Sequence, residues 1–149
     1  MKIGFTCSAF DLLHAGHVTM LKEARSNCDY LIVGLQVDPT ADRPEKNKPV
    51  QTVYERYAQL QAVRYVDEIL VYGSEQDLLN ILTTQKIDIR FVGEEYISKN
   101  FTGKDYCVGN SIEIFYNKRR HAFSSTELRQ RIKNVDSAEI NKIKELYGD

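Results

Sequence analysis

The 149 residues contain no apolar run approaching the ~20 residues a bilayer-spanning helix needs, and no signal-peptide pattern opens the chain. Both absences argue against a membrane protein. Charge of one sign is also missing: the formal net charge is -1, so no basic field points to nucleic acid. Cysteine is sparse. Cys7, Cys28 and Cys107 are odd in number and form no CxxC, which argues against a disulfide framework and for free thiols in a reducing, cytoplasmic setting. No GxGxxG is present, against a dinucleotide dehydrogenase, and no GxxxxGK[ST], against a P-loop NTPase. HExxH is absent, as are internal repeats and low-complexity segments.

What is present is a regular alternation. Apolar runs at Ile3 to Thr6, Tyr30 to Val37, Glu68 to Tyr72, Asp88 to Val92 and Ile112 to Tyr116 read as strands. Between them, helical spacing runs from Val18 to Ala24, Thr52 to Val63 and Glu75 to Thr83. Ser124-Ser125-Thr126-Glu127 has the form of a capping box, with Ser124 as N-cap and Glu127 reaching back. A last helix is expected from Ala138 to Tyr147, burying Ile140, Ile143 and Tyr147. Thr40 to Val50 and Glu94 to Gly109 read as loops, the first mobile by composition, and Asn117 to Phe123 as a basic loop. This order predicts an α/β fold, a single Rossmann-like domain over 1–149 with a parallel sheet flanked by helices, and 136–149 as a C-terminal helical extension.

The most informative stretch is Phe10-Asp11-Leu12-Leu13-His14-Ala15-Gly16-His17, where the first strand hands over to the first helix. Anions collect at such a place, because a helix N-terminus offers free N–H groups and the positive end of a dipole. Gly16 lets the backbone approach an oxygen closely. Two imidazoles there suit a phosphate. A surface turn without chemistry is the plain alternative. A metal site built on His14, His17, His121 and a cysteine is a third, although a structural zinc wants four ligands.

The Phe-Asp-Leu-Leu-His-Ala-Gly-His segment resembles the signature of the HxGH nucleotidyltransferase superfamily, in particular its cytidylyltransferase branch. Arg64-Tyr65-Val66-Asp67 is similar to a segment of glycerol-3-phosphate cytidylyltransferases. Lys46-Asn47-Lys48 resembles their Lys-x-Lys, Val92 to Tyr96 their Gly-Asp-Asp-Trp stretch, and Arg119 to Thr126 their Arg-Thr-x-Gly-Ile-Ser-Thr-Thr signature. The resemblance implies a homodimeric enzyme joining CTP to sn-glycerol 3-phosphate, giving CDP-glycerol and pyrophosphate, with Mg²⁺ accompanying the nucleotide. It places His14, His17, Lys46 and Arg119 in catalysis. Ser8, Ala9, Phe10, Asp11, Gly16, Gly93, Glu95, Arg119, Ser124, Ser125 and Thr126 fall on the nucleotide, with Asp11 able to touch the metal. Lys46, Lys48, Arg56 and Arg64 fall on the acceptor phosphate.

The departures are specific. Ser8-Ala9 stand where the family has Gly-Thr, Arg120-His121-Ala122-Phe123 replace Thr-x-Gly-Ile, and Tyr96 replaces Trp. They weaken the assignment of glycerol phosphate more than that of nucleotidyl transfer. An adenylyltransferase using ATP with a sugar phosphate or flavin mononucleotide is the neighbouring reading, and a nucleotide-binding module without catalysis is another.

Overall fold

A computed structural model describes residues 1–119, 122–135 and 137–148, and of Ser137 and Ala138 the backbone alone. Five strands, β1 (Ile3–Ser8), β2 (Tyr30–Gln36), β3 (Glu68–Tyr72), β4 (Ile89–Gly93) and β5 (Glu113–Asn117), form one parallel sheet in the order β3-β2-β1-β4-β5. The first hydrogen-bonded neighbours run outward from β1 in both directions, so the order reverses between β1 and β4. At that switch point the two crevice walls diverge and leave room for a ligand at the carboxyl ends of the strands.

Helices α1 (Ala15–Ser26), α2 (Val53–Gln61), α3 (Glu75–Thr84), α4 (Lys104–Gly109), α5 (Ser125–Lys133) and α6 (Ser137–Tyr147) complete the chain. Alternate strand residues feed two cores. Leu31, Val33, Leu35, Ile89 and Phe91 pack with Leu21 and Ala24 of α1 and Leu60 of α2. Phe5, Ile32 and Tyr72 pack with Leu78 and Leu82 of α3 and Cys107 of α4. The period of two along each strand is what divides its side chains between these layers. Gly4 is required by space: a Cβ there would lie 2.7 Å from Phe91 Cε2 and 2.8 Å from Cys28 Sγ.

Local chemistry sets the helix starts. Thr52 and Glu55, and Ser74 and Asp77, form reciprocal capping boxes at α2 and α3; each such cap contributes about 1 kcal/mol. At α5 only half of the expected box forms. The Ser124 hydroxyl accepts from the Glu127 N–H at 3.0 Å, and among the described residues Glu127 returns no bond.

Three other expectations change. Glu94 to Gly109 is not a loop throughout: it holds a 3-10 turn at Glu94–Ile97 and α4, whose short length and mixed polarity hid its period. The Thr40 to Val50 segment is tied at both ends, because Asp42 accepts from the Glu75 N–H and Asp11 from the Val50 N–H. The last helix forms, but Ile140, Ile143 and Tyr147 are exposed at 42%, 56% and 84%. Helical spacing marks an apolar face; it does not supply a partner for it.

Candidate active site

Between β1 and α1 the backbone is forced into an uncommon shape. Phe10 and Leu12 have φ of 48° and 52°, the left-handed region, at a cost on the order of 1–2 kcal/mol each for such residues. Surrounding contacts hold it. Phe10 is buried, the Leu12 N–H donates to Gln51 Oε1 at 2.8 Å, and the Ser125 hydroxyl donates to the Asp11 carbonyl at 3.1 Å. Asp11, between the two strained residues, is buried and accepts from the Val50 and Gln51 N–H groups at 2.9 Å each and from the Arg129 guanidinium. It clamps the turn to the 40s segment and to α5. Three of the roughly four acceptor sites of the carboxylate are thereby taken by hydrogen-bond donors, a role in orienting the turn.

This turn delivers the two histidines. His14 is the N-cap of α1, and its Nδ1 accepts from the Gly16 N–H at 3.0 Å. His17 Nδ1 accepts from the His14 N–H at 3.2 Å. The pair forms a capping box made of imidazoles, with rings stacked 3.9 Å apart. With Nδ1 an acceptor in both rings, the neutral tautomer carries its proton on Nε2 and is a donor there. Burial, and secondarily the His14 charge, lower the His17 pKa to about 4, against a smaller opposing pull from Asp11. At neutral pH His17 is thus an uncharged N–H donor at a helix N-terminus.

Both imidazoles line a cleft of about 1210 Å³ at the carboxyl ends of β1, β4 and β5. Ser8, Ala9, Phe10, Asp11, Gly16, Lys46, Gly93, Glu95, Arg119, Ser124 and Ser125 line it as well. Thr126, Lys48 and Arg64 do not. Thr126 faces outward on α5. Lys48 is exposed in its loop. The Arg64 guanidinium lies 5.9 Å from the Tyr65 ring centre, while Asp67 of the same segment accepts from the Leu31 N–H and pairs with Arg25. Arg56 departs furthest from expectation. It is 2% exposed and donates to the carbonyls of Ala9, Gln36, Val37 and Gln51 at 2.6–3.1 Å. Its guanidinium spends four of its five N–H donors tying the ends of β1 and β2 to α2, away from the cleft lining.

Gly93 sits at the carboxyl end of β4 on the cleft wall. Its φ of -65° suits any residue, and a Cβ there would meet only the tip of the exposed Glu95 side chain, which can swing aside. Ser8 Oγ accepts from the Phe10 N–H at 3.5 Å, a long bond within the turn. Arg119 donates to the Phe123 carbonyl at 2.7 Å and bridges, through its own N–H, to Glu94. Arg120 and His121 lie outside the described residues. Among the described residues no three His, Cys, Asp or Glu side chains converge as a metal site.

A family model described as Cytidylyltransferase-like matches residues 5–131. The chain belongs to the cytidylyltransferase-like family. Similar curated relatives include the bifunctional protein HldE of Rhodospirillum rubrum, 35% identical over 89% of this chain and 27% of its own length. HldE of Caulobacter sp. strain K31 is 33% identical over 86% of this chain and 26% of its own. The chain thus spans about a quarter of the length of these relatives. Among solved structures, a lipopolysaccharide core biosynthesis protein from Thermoplasma volcanium superposes with a TM-score of 0.64 at 27% identity, covering 83% of this chain and 99% of that one. A pantoate-beta-alanine ligase from Francisella tularensis shares the fold at a TM-score of 0.55 and 21% identity, over 99% of this chain and 70% of its own.

Residues that the sequence left unmarked also shape the cleft and its turn. Gln51 and Arg129 clamp the strained turn, and Asn117 at the end of β5 donates to Glu23 of α1 at 2.9 Å. Their side-chain types are common on any surface. Only their placement brings Arg129 and Asn117 to the cleft wall and Gln51 to the turn behind it.

Proposed function

We propose that the chain transfers the nucleotidyl group of a nucleoside triphosphate to a small sugar phosphate, releasing pyrophosphate. The observation carrying this reading is the stacked pair of imidazoles at the α1 N-terminus, both held by backbone N–H groups and both facing the cleft. An oxygen of the acceptor phosphate attacks the α-phosphorus. A P–O bond forms there, the bond from the α-phosphorus to the bridging oxygen breaks, and its electrons leave with pyrophosphate. The protein forms no covalent bond; it positions two anions and stabilises the charge that grows between them.

His14 and His17 donate through Nε2 to the α-phosphate and the bridging oxygen. Protonation of His17 would sacrifice its Nδ1 acceptor bond from the His14 N–H, while the Nε2–H stays a donor in either state. Arg119 and the N-terminus of α5, with Ser124 and Ser125, suit the β- and γ-phosphates. Lys46 supplies positive charge from the facing loop. Mg²⁺ bound with the triphosphate would neutralise its charge, held by phosphate oxygens and water because the Asp11 oxygens are engaged.

The acceptor class is supported by the relatives: two carry the name HldE, and the Thermoplasma protein is named for lipopolysaccharide core, a saccharide. A second reading, CTP with sn-glycerol 3-phosphate, draws on the family description and on Arg64-Tyr65-Val66-Asp67. A cytoplasmic homodimer belongs to the same proposal. Pyrophosphate release, with ATP and CTP each offered against sugar phosphates, flavin mononucleotide and sn-glycerol 3-phosphate, separates the readings. Turnover confined to sugar phosphates supports the first reading, turnover confined to CTP with glycerol phosphate the second. Nucleotide binding without turnover against any acceptor would leave a binding module. His17→Asn is expected to lower turnover by at least ~100-fold, the scale of a lost transition-state donor, without loss of fold.

A further inference from the structure

The cleft continues beyond the histidines to the side of the sheet covered by α3 and α4, and there it meets Arg90. This residue sits in the middle of β4, where neighbouring positions are Ile89 and Phe91 and are apolar. It is 3% exposed, yet it forms no ion pair among the described residues. The guanidinium donates to the Thr102 carbonyl and to the Cys107 thiol, the Phe101 ring lies 4.9 Å away, and Nε is buried without a partner. Lys104, 5.8 Å from the same ring, lines the same part of the cleft. A cation withdrawn from water without a counter-charge is costly, and an anion entering beside it would recover much of that cost.

The other buried arginine shows the contrast. Arg56 has four carbonyl acceptors and is satisfied by the fold itself. Arg90 has two, the Thr102 carbonyl and the Cys107 thiol, neither of them charged, and its Nε is buried without a partner. By register Arg90 lies opposite Phe5, three residues before Ser8 at the end of β1. At about 3.3 Å per residue the Arg90 backbone lies roughly 10 Å along the strand from the end of β1, below the turn that carries the histidines.

We propose that Arg90, with Lys104, forms a second anion subsite, so that the acceptor carries an additional oxyanion lying deeper in the cleft than its reacting phosphate. The claim rests on the nucleotidyl-transfer reading for which end of the acceptor reacts. A sugar phosphate bearing a carboxylate and one bearing a second phosphate supply the same chemistry.

The test is calorimetric binding to the full chain of matched acceptors: glucose 1-phosphate, glucuronic acid 1-phosphate and glucose 1,6-bisphosphate, with pyrophosphate release measured in parallel. The subsite predicts that one or both doubly anionic members bind at least ~10-fold tighter than the neutral sugar, the scale of one charge-assisted contact. Which one does so tells carboxylate from phosphate. Arg90→Met should erase that difference while leaving glucose 1-phosphate and nucleotide binding within ~3-fold, and Arg90→Lys should retain part of it. Equal binding of all three by the wild type, or a preference that survives Arg90→Met, overturns the proposal. So does a fall in Tm above ~5 °C in Arg90→Met, which would mark the guanidinium as a structural tie. Because binding is read without turnover, an inactive protein with an Arg90-dependent preference refutes nucleotidyl transfer and not the subsite. Turnover without the preference refutes the subsite alone.

Discussion

Replacing Arg56 by methionine separates a structural cation from a substrate-binding one. The side chain is 2% exposed and donates four hydrogen bonds, to Gln51 O at 3.1 Å, Ala9 O at 3.0 Å, Gln36 O at 2.7 Å and Val37 O at 2.6 Å. Methionine fills much of the same volume and removes a buried charge, which is a gain. It also strands carbonyls at the ends of β1 and β2 and at the α2 entry. Hydrogen bonds from a charged donor contribute about 1.5–3 kcal/mol each when both partners are buried, and part of that sum is returned by relieved desolvation. The net loss expected is about 3–5 kcal/mol, the range for breaking a buried charged network on one side. At this chain length that corresponds to a fall in Tm of roughly 6–20 °C. Thermal unfolding by circular dichroism reads it directly. Acceptor KM, measured below the transition, should rise no more than the loss of folded protein explains. A Tm within ~2 °C of wild type together with a large rise in acceptor KM would refute this reasoning and return Arg56 to the acceptor site.

Two further outcomes follow from the histidine turn. In an NMR titration His17 should protonate near pH 4 and hold its neutral proton on Nε2. Because its folded pKa lies below the ordinary 6.5, the unfolded chain takes up the proton first; stability is full above pH 6.5 and falls as pH drops toward 4, by at most about 3 kcal/mol at 1.36 kcal/mol per pH unit. His17→Asn should flatten that slope in urea unfolding between those pH values. Asp11→Asn should cost about 3 kcal/mol, since an amide turns a donor toward groups that already donate, while the Mg²⁺ concentration giving half-maximal turnover stays unchanged. A shift of that concentration by ten-fold or more would make Asp11 a metal ligand after all.

Much of the architecture was legible from residue order. Strand runs rich in Val, Ile and Leu, separated by helical spacing, lead to a parallel sheet because such runs need cover on both faces. The motif at Phe10 to His17 was legible as well, since two imidazoles around a glycine at a strand-to-helix junction have little purpose in packing. The sequence by itself therefore determined the fold class and the place of the two imidazoles at the head of the first helix. It could not say which cations reach that site. Lys46, Lys48, Arg56 and Arg64 look alike on a line of letters, but one lines the cleft, two are exposed outside it, and Arg56 is consumed by four backbone carbonyls. Nor could it show that Asp11 is a clamp, or that Arg90 sits buried in β4 with an unfilled donor. Those outcomes depend on which carbonyls, N–H groups and rings are brought within about 3 Å of a charge, and that is settled only when distant segments pack.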